Sequence, residues 1–178
     1  PTPHPGRKLR VNHWTSSLVL CALISACASQ ASQSGAQSEP PRGALELDLA
    51  RADGRRIPLS ALDGQARLLF LFATYDQTSQ LALVPLSRFV EQNPDVSVLG
   101  VLVQPDAQTF IPLFARSLSV PFELYAEPDN KLLHGSTPLG RLAGVPAFVA
   151  LDARGRIRDV HYGVATESEL GAMLDDAR

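Results

Sequence analysis

The sequence predicts an α/β fold, a mixed β-sheet flanked by helices with a β-hairpin at its N-terminal side. Three observations carry that reading. Residues 67–72 and 96–103 are nearly unbroken apolar runs, the first reading Leu68-Leu69-Phe70-Leu71-Phe72, and runs of that length suit parallel strands covered on both faces. Between them Leu83, Leu86 and Val90 recur at helical spacing. The chain then closes with two strands about a tight turn and a helix that carries its own start signal.

Taken in order, residues 44–50 alternate, with Leu45, Leu47 and Leu49 on one side and Glu46 and Asp48 on the other, as a half-buried strand does. Asp53-Gly54 turns the chain and residues 57–62 return it, which makes the hairpin. A core strand over 67–72, a helix over 79–92 and a second core strand over 96–103 form a βαβ unit. Residues 106–118 are read as a further helix that Pro112 kinks or shortens. Residues 147–152 and 157–162 are read as strands joined at Arg154-Gly155. Thr166-Glu167-Ser168-Glu169 is a capping box that opens a helix running through Ala177.

The N-terminal segment has a different character. Arg7, Lys8 and Arg10 precede a short apolar stretch from Leu18 to Ile24, followed by Ser25-Ala26-Cys27. A basic region, a brief apolar region and small residues before a cleavage point make an export signal, and the apolar run is far shorter than the roughly 20 residues of a membrane-spanning helix. Ile24-Ser25-Ala26-Cys27 resembles the lipobox of bacterial lipoproteins, which implies lipidation of Cys27; a plain secretory signal cut elsewhere is the competing reading. The division is therefore 1–27 signal peptide, 28–42 linker and 43–178 folded domain. The linker is mostly Ser, Gln, Ala and Pro, too poor in apolar residues to fold, and reads as a flexible tether. Ala28 stands where an aspartate favours inner-membrane retention, so the outer membrane is the expected destination.

Of the 16 Lys and Arg, three leave with the signal, which sets 13 against 18 Asp and Glu, a net charge of −5 with histidines neutral. A mildly acidic domain without a basic run has no electrostatic footprint for nucleic acid. The chain's 2 cysteines, Cys21 and Cys27, both lie in the signal, so no disulfide holds the domain.

Residues 144–157, reading Gly-Val-Pro-Ala-Phe-Val-Ala-Leu-Asp-Ala-Arg-Gly-Arg-Ile, resemble a strand, turn and strand of the TlpA-type thioredoxin-like proteins. Residues 163–170 resemble the family's closing helix, and residues 59–66 the lead into its first core strand. The family includes membrane-anchored thiol-disulfide oxidoreductases and lies close to the AhpC/TSA-type peroxiredoxins. The resemblance implies a thioredoxin-like fold over most of residues 44–176. It places the family's redox cysteines on Asp76 and Ser79, and a proton-transfer carboxylate on Ala82; the helix proline arrives one residue late, at Pro85. It also places the family's cis-proline on Val145-Pro146, beside the redox positions. Disulfide exchange needs a thiolate nucleophile, and none of these residues supplies one.

Each candidate has a plain structural reading beside the functional one. Asp76 suits a helix N-cap, where its oxygen meets orphan N–H groups, or else a catalytic carboxylate; Thr78 or Ser79 caps if the helix starts later. Val145 and Pro146 are a fold determinant, a place where an extended partner pairs with backbone, or both. Tyr75, Phe72 and Phe148 are expected to form an apolar rim around Asp76 and Pro146, although such aromatics are more often core. His134 and His161 are the histidines beyond the signal, and no ligand spacing for zinc or copper surrounds them. Ser79 has no general base nearby in sequence, and residues 140–144 make a poor phosphate cradle. No metal or other cofactor is called for.

Three functions compete. The first is a redox-inactive, membrane-anchored module of the cell envelope that binds an extended peptide or partner protein through Tyr75, Asp76, Val145 and Pro146. The second is a thiol-disulfide oxidoreductase or peroxidase-related protein working with a partner's thiols. The third is an envelope scaffold lipoprotein whose contact lies elsewhere.

Overall fold

The computed structural model describes residues 43–178; the expected signal peptide, the expected lipidation of Cys27 and the expected linker lie outside the described residues. Strands β1 (Asp48–Arg51), β2 (Arg56–Pro58), β3 (Arg67–Phe72), β4 (Ser97–Leu102), β5 (Glu123–Ala126), β6 (Ala147–Leu151) and β7 (Ile157–Tyr162) form one sheet. Their order is β2-β1-β5-β4-β3-β6-β7. The central β5, β4 and β3 are mutually parallel, while β6, β7 and the β1–β2 hairpin run antiparallel to their neighbours. Helices α1 (Gln77–Gln92), α2 (Ala107–Ser117), α3 (Lys131–His134) and α4 (Glu167–Ala177) complete the chain.

The unbroken apolar run of β3 has the predicted cause. All six residues are buried, because successive side chains point to opposite faces and both faces are covered. Leu68, Phe70 and Phe72 meet α1, α2 and α4 through residues such as Leu86, Ile111 and Leu170. Phe70 and Phe72 stack with centroids 5.2 Å apart. Leu69 and Leu71 face the other layer, with Leu47, Leu49, Leu59 and Leu132. Gly100 in β4 allows a close approach: a Cβ there would lie 2.6 Å from the Leu124 Cδ2 methyl on β5, which would have to shift.

Several elements differ from expectation. Burial alternates over Leu45, Leu47 and Leu49 as predicted, but the ladder holds only Asp48–Arg51. Residues 43–45 instead lie along the β6–β7 turn, with the Leu45 N–H on the Gly155 carbonyl at 2.9 Å and Ala44 paired to Arg156. The return strand is three residues long and gives way to a 3-10 turn at Leu59–Leu62, whose first residue still pairs, with the Leu59 N–H on the Leu47 carbonyl at 2.8 Å. Helix α2 continues through Pro112, and α1 through Pro85. The carbonyls four residues earlier belong to Leu81 and Gln108, both exposed, so water can satisfy what the prolines leave open.

Strand β5 and helix α3 were not anticipated. β5 matters most, because it pairs with β4 on one side and β1 on the other. The hairpin is thereby fused to the main sheet rather than set in front of it.

The first residue of β3 is an exception to the apolar core. Arg67 is 1% exposed, and Nε and both Nη atoms have no hydrogen-bond partner among the described residues. Burial lowers its pKa, opposed by the charges of Asp63 and Tyr125.

Candidate functional site

Where β3 ends, residues 73–76 carry the chain into α1. Asp76 has extended backbone, φ −91° and ψ 117°, and its carboxylate accepts the Ser79 N–H at 2.6 Å. It is the N-cap of α1, which therefore starts two residues earlier than the periodicity suggested. Ser79 is 1% exposed, and its Oγ accepts the Ala73 N–H at 3.4 Å. Ala82 is fully buried in the helical core. All three redox-frame positions are thus taken up by capping or packing.

The loop is braced from a second direction. Gln104, at the end of β4, is buried, and its Oε1 accepts both the Thr74 N–H and the Thr74 Oγ1 hydroxyl at 2.9 Å. Gln80 Nε2 donates to the Thr74 carbonyl at 3.1 Å. Sequence reasoning missed Thr74, Gln80 and Gln104. A glutamine following an apolar strand carries no periodic signal, and only the parallel β3–β4 register brings it to Thr74.

The Val145–Pro146 peptide is cis, as the resemblance implied. Leu71 of β3 stands opposite Ala147 of β6, so the chain entering β6 at Pro146 lies beside the chain leaving β3 at Phe72. Pro146 is buried and its carbonyl accepts the Gly163 N–H at 2.8 Å. Gly163 makes that return with φ +93°, a conformation that favours glycine. Val145 is half-buried, and its N–H and C=O form no hydrogen bond among the described residues.

The expected apolar rim needs correction. Phe72 and Phe148 are buried at 1% and 0% exposure, with rings 5.2 Å from Phe70; each faces the helical layer by strand alternation. Tyr75 alone of the three is exposed, at 72%. Its companions at this end of the sheet are Tyr162, which pairs with Ala147, and Val164, exposed at 42% and 45%. His161 lies on β7 with its ring 6.2 Å from Phe148 and Nε2 3.4 Å from the Val164 carbonyl. His134 closes α3 and is exposed. Glu169 completes the capping box of α4, and its hydrogen bonds from Thr166 hold its pKa below the ordinary value.

Comparison with solved structures decides the fold. The MTB protein dsbF matches with a TM-score of 0.60 and 21% identity over 74% of this chain and 95% of its own. The fold is thioredoxin-like. The exposed lipoprotein thioredoxin Etrx1 of Streptococcus pneumoniae matches at TM-score 0.60 and 18% identity, covering 74% of this chain and 98% of its own. A thiol:disulfide interchange protein of Chlorobium tepidum gives 0.61 and 16%, over 77% and 96%. No protein-family model matches this chain, and no curated protein does. The thioredoxin-like scaffold is therefore present, while residues 28–178 contain no cysteine.

Proposed function

We propose that this chain is a TlpA-like, lipid-anchored protein of the cell envelope that does no thiol chemistry and binds an extended peptide or partner strand beside Pro146. The observation that carries the reading is the state of the two adjoining loops. Asp76 and Ser79 are committed to holding α1 in place, whereas the Val145 backbone has no hydrogen-bond partner among the described residues and lies at the same end of the sheet as exposed Tyr75, Tyr162 and Val164. An extended chain pairs with free N–H and C=O groups without any thiol, and apolar neighbours add contact area. The export signal and Cys27 supply the anchor, in keeping with the exposed lipoprotein among the structural neighbours.

Two measurements test this. Purified protein is expected to reduce no disulfide and consume no peroxide, while the double change Asp76→Cys with Ser79→Cys gains exchange activity. Turnover by the unaltered protein above a no-enzyme control would instead favour an oxidoreductase working with a partner's thiols. A photo-crosslinking residue at Tyr75 is expected to capture an envelope protein, and one at Arg154, at the far end of the sheet, is not. Capture at Arg154 alone would favour the scaffold reading.

A further inference from the structure

At the end of the sheet that holds Val145, the helix side carries charge of one sign. Strands β3 and β4 are parallel and end there, and their connections lead to Asp76 and Asp106 at the starts of α1 and α2. Strand β7 also ends there, with Tyr162 opposite Ala147, and leads to Glu167 and Glu169 in the first turn of α4. Asp106 and Glu169 are exposed, and Asp76 and Glu167 are half-buried. Residues 73–80, 103–110 and 163–170 make up these three connections and the helix turns that follow, and they contain no Lys, Arg or His.

The cations of this end, Lys131 and Arg141, belong to the segment on the other face. Their neighbours Leu132 and Leu142 pack in the layer of Leu69 and Leu71, whereas α1, α2 and α4 form the opposite layer. Towards the hairpin edge, Glu127 and Asp129 are already engaged, the first by backbone N–H groups and the second by Arg56. On the helix side, His161 of β7 is the base whose charge acts on Glu169.

Two separate features of this surface favour a cation. Ionised carboxylates attract one directly, and Asp76 and Glu169 keep that charge while they accept capping N–H groups. Tyrosine rings attract one through the ring face, and Tyr75 and Tyr162 stand in solvent. At the same end the Val145 N–H and C=O have no partner among the described residues, and by themselves they pair with any extended chain.

We propose that the segment received beside Pro146 is an extended basic one, a strand of a partner protein whose lysine or arginine side chains meet Asp76, Asp106, Glu167 and Glu169 while its backbone pairs with Val145. This assignment rests on the strand-binding reading given above and adds the chemistry of the partner to it. Charges around a contact of this kind select which strand arrives more than they tighten its hold.

The test uses the purified full chain and three dye-labelled peptides that alternate threonine with lysine, with glutamine or with glutamate. Fluorescence anisotropy reads affinity, and the NMR signal of the Val145 amide reads the place. The lysine peptide is expected to bind and shift that signal, with affinity falling as salt rises, and the glutamate peptide to bind least. Asp106→Asn with Glu167→Gln should weaken the lysine peptide on the order of fivefold, as loss of exposed ion pairs does, and flatten its salt dependence. Residue 106 has φ +55°, which asparagine adopts readily, so the charge is removed without the fold. Equal affinity of all three peptides, each shifting the Val145 signal, overturns the basic partner and leaves strand pairing intact. A lysine peptide that ignores both substitutions and leaves Val145 unmoved is adsorbed to an acidic protein, which overturns the proposal as well. If no peptide binds, the strand-binding reading falls and this one falls with it.

Discussion

The two ends of the sheet handle polar groups in opposite ways. At the end where β3 enters α1, the polar side chains at the redox-frame positions are tied in: Asp76 caps α1, Ser79 holds Ala73, and Gln104 holds Thr74. At the other end Arg67 buries a guanidinium with no hydrogen-bond partner among the described residues, although the Asp63 charge acts on it. Two strands share that second end, because Leu151 stands opposite Arg67, and the next residue, Asp152, has a full set of partners. Its carboxylate accepts from the Arg154 and Arg156 N–H groups at 2.8 and 2.9 Å and from Arg158 Nη2 at 2.8 Å. Polar residues at the first end therefore hold local structure through hydrogen bonds, whereas Arg67 is buried without one.

The largest expected effect comes from removing that buried charge. Replacing buried ion pairs with well-packed apolar side chains is often neutral or stabilising by about 1–4 kcal/mol, so Arg67→Met, which removes a buried charge with no hydrogen-bonded partner, is expected to raise the unfolding free energy by up to about that amount, read as a higher denaturation midpoint. A lower midpoint in a folded variant would mean that Arg67 has partners and that the contrast between the ends is wrong.

Gln104→Leu probes the braced end. It strands the Thr74 donors in a part-buried setting, and an unmet buried donor costs roughly 1–3 kcal/mol. Urea unfolding should report the loss, with faster hydrogen exchange at the Thr74 amide. An unchanged unfolding curve would show that water replaces Gln104 freely and that the brace is incidental.

Asp76→Ala is expected to cost about 1 kcal/mol, as loss of an N-cap does, with Asp76→Asn retaining most of the stability. Thr166→Ala at the start of α4 provides the reference, because that cap is structural beyond dispute. If Asp76→Ala is neutral while Thr166→Ala is costly, the carboxylate is held for something other than the helix.

The smallest effect is a pH dependence at Asp152. Burial pushes this carboxyl up, but the N–H groups of Arg156 and Arg154 and the Arg158 guanidinium together bring it below its ordinary value. A depressed folded pKa contributes stability that is present above the unfolded value, about 3.9, and is lost as pH falls through the folded one. Acid titration of unfolding should thus destabilise the unaltered protein more than Asp152→Asn below about pH 4. Parallel curves would remove Asp152 from the comparison.

Much of this was legible in the chain itself. The run 67–72 matched β3, the Thr166 capping box matched the start of α4, and Gly-Val-Pro marked the cis peptide before β6, because each is a local pattern with a local physical cause. Asp76 was readable as a cap for the same reason. What was illegible depends on pairing across long separations. The segment Glu123–Ala126 is too short to announce a strand, and becomes one because β4 and β1 flank it.

The residues alone determined the types of every strand and helix but β5 and α3, the absence of a thiol beyond Cys27 and the polar character of positions 76 and 79, since periodicity, capping chemistry and nucleophile identity are properties of neighbouring side chains. Tertiary structure decided which aromatics are surface. Phe72 and Phe148 alternate inward under α1, α2 and α4, while Tyr75 and Tyr162 stand in solvent. It also decided that Gln104 meets Thr74, that Arg67 is buried, and that Val145 has no backbone partner. Those outcomes follow from sheet register and from which layers cover each face, and neither is encoded within any single stretch of chain.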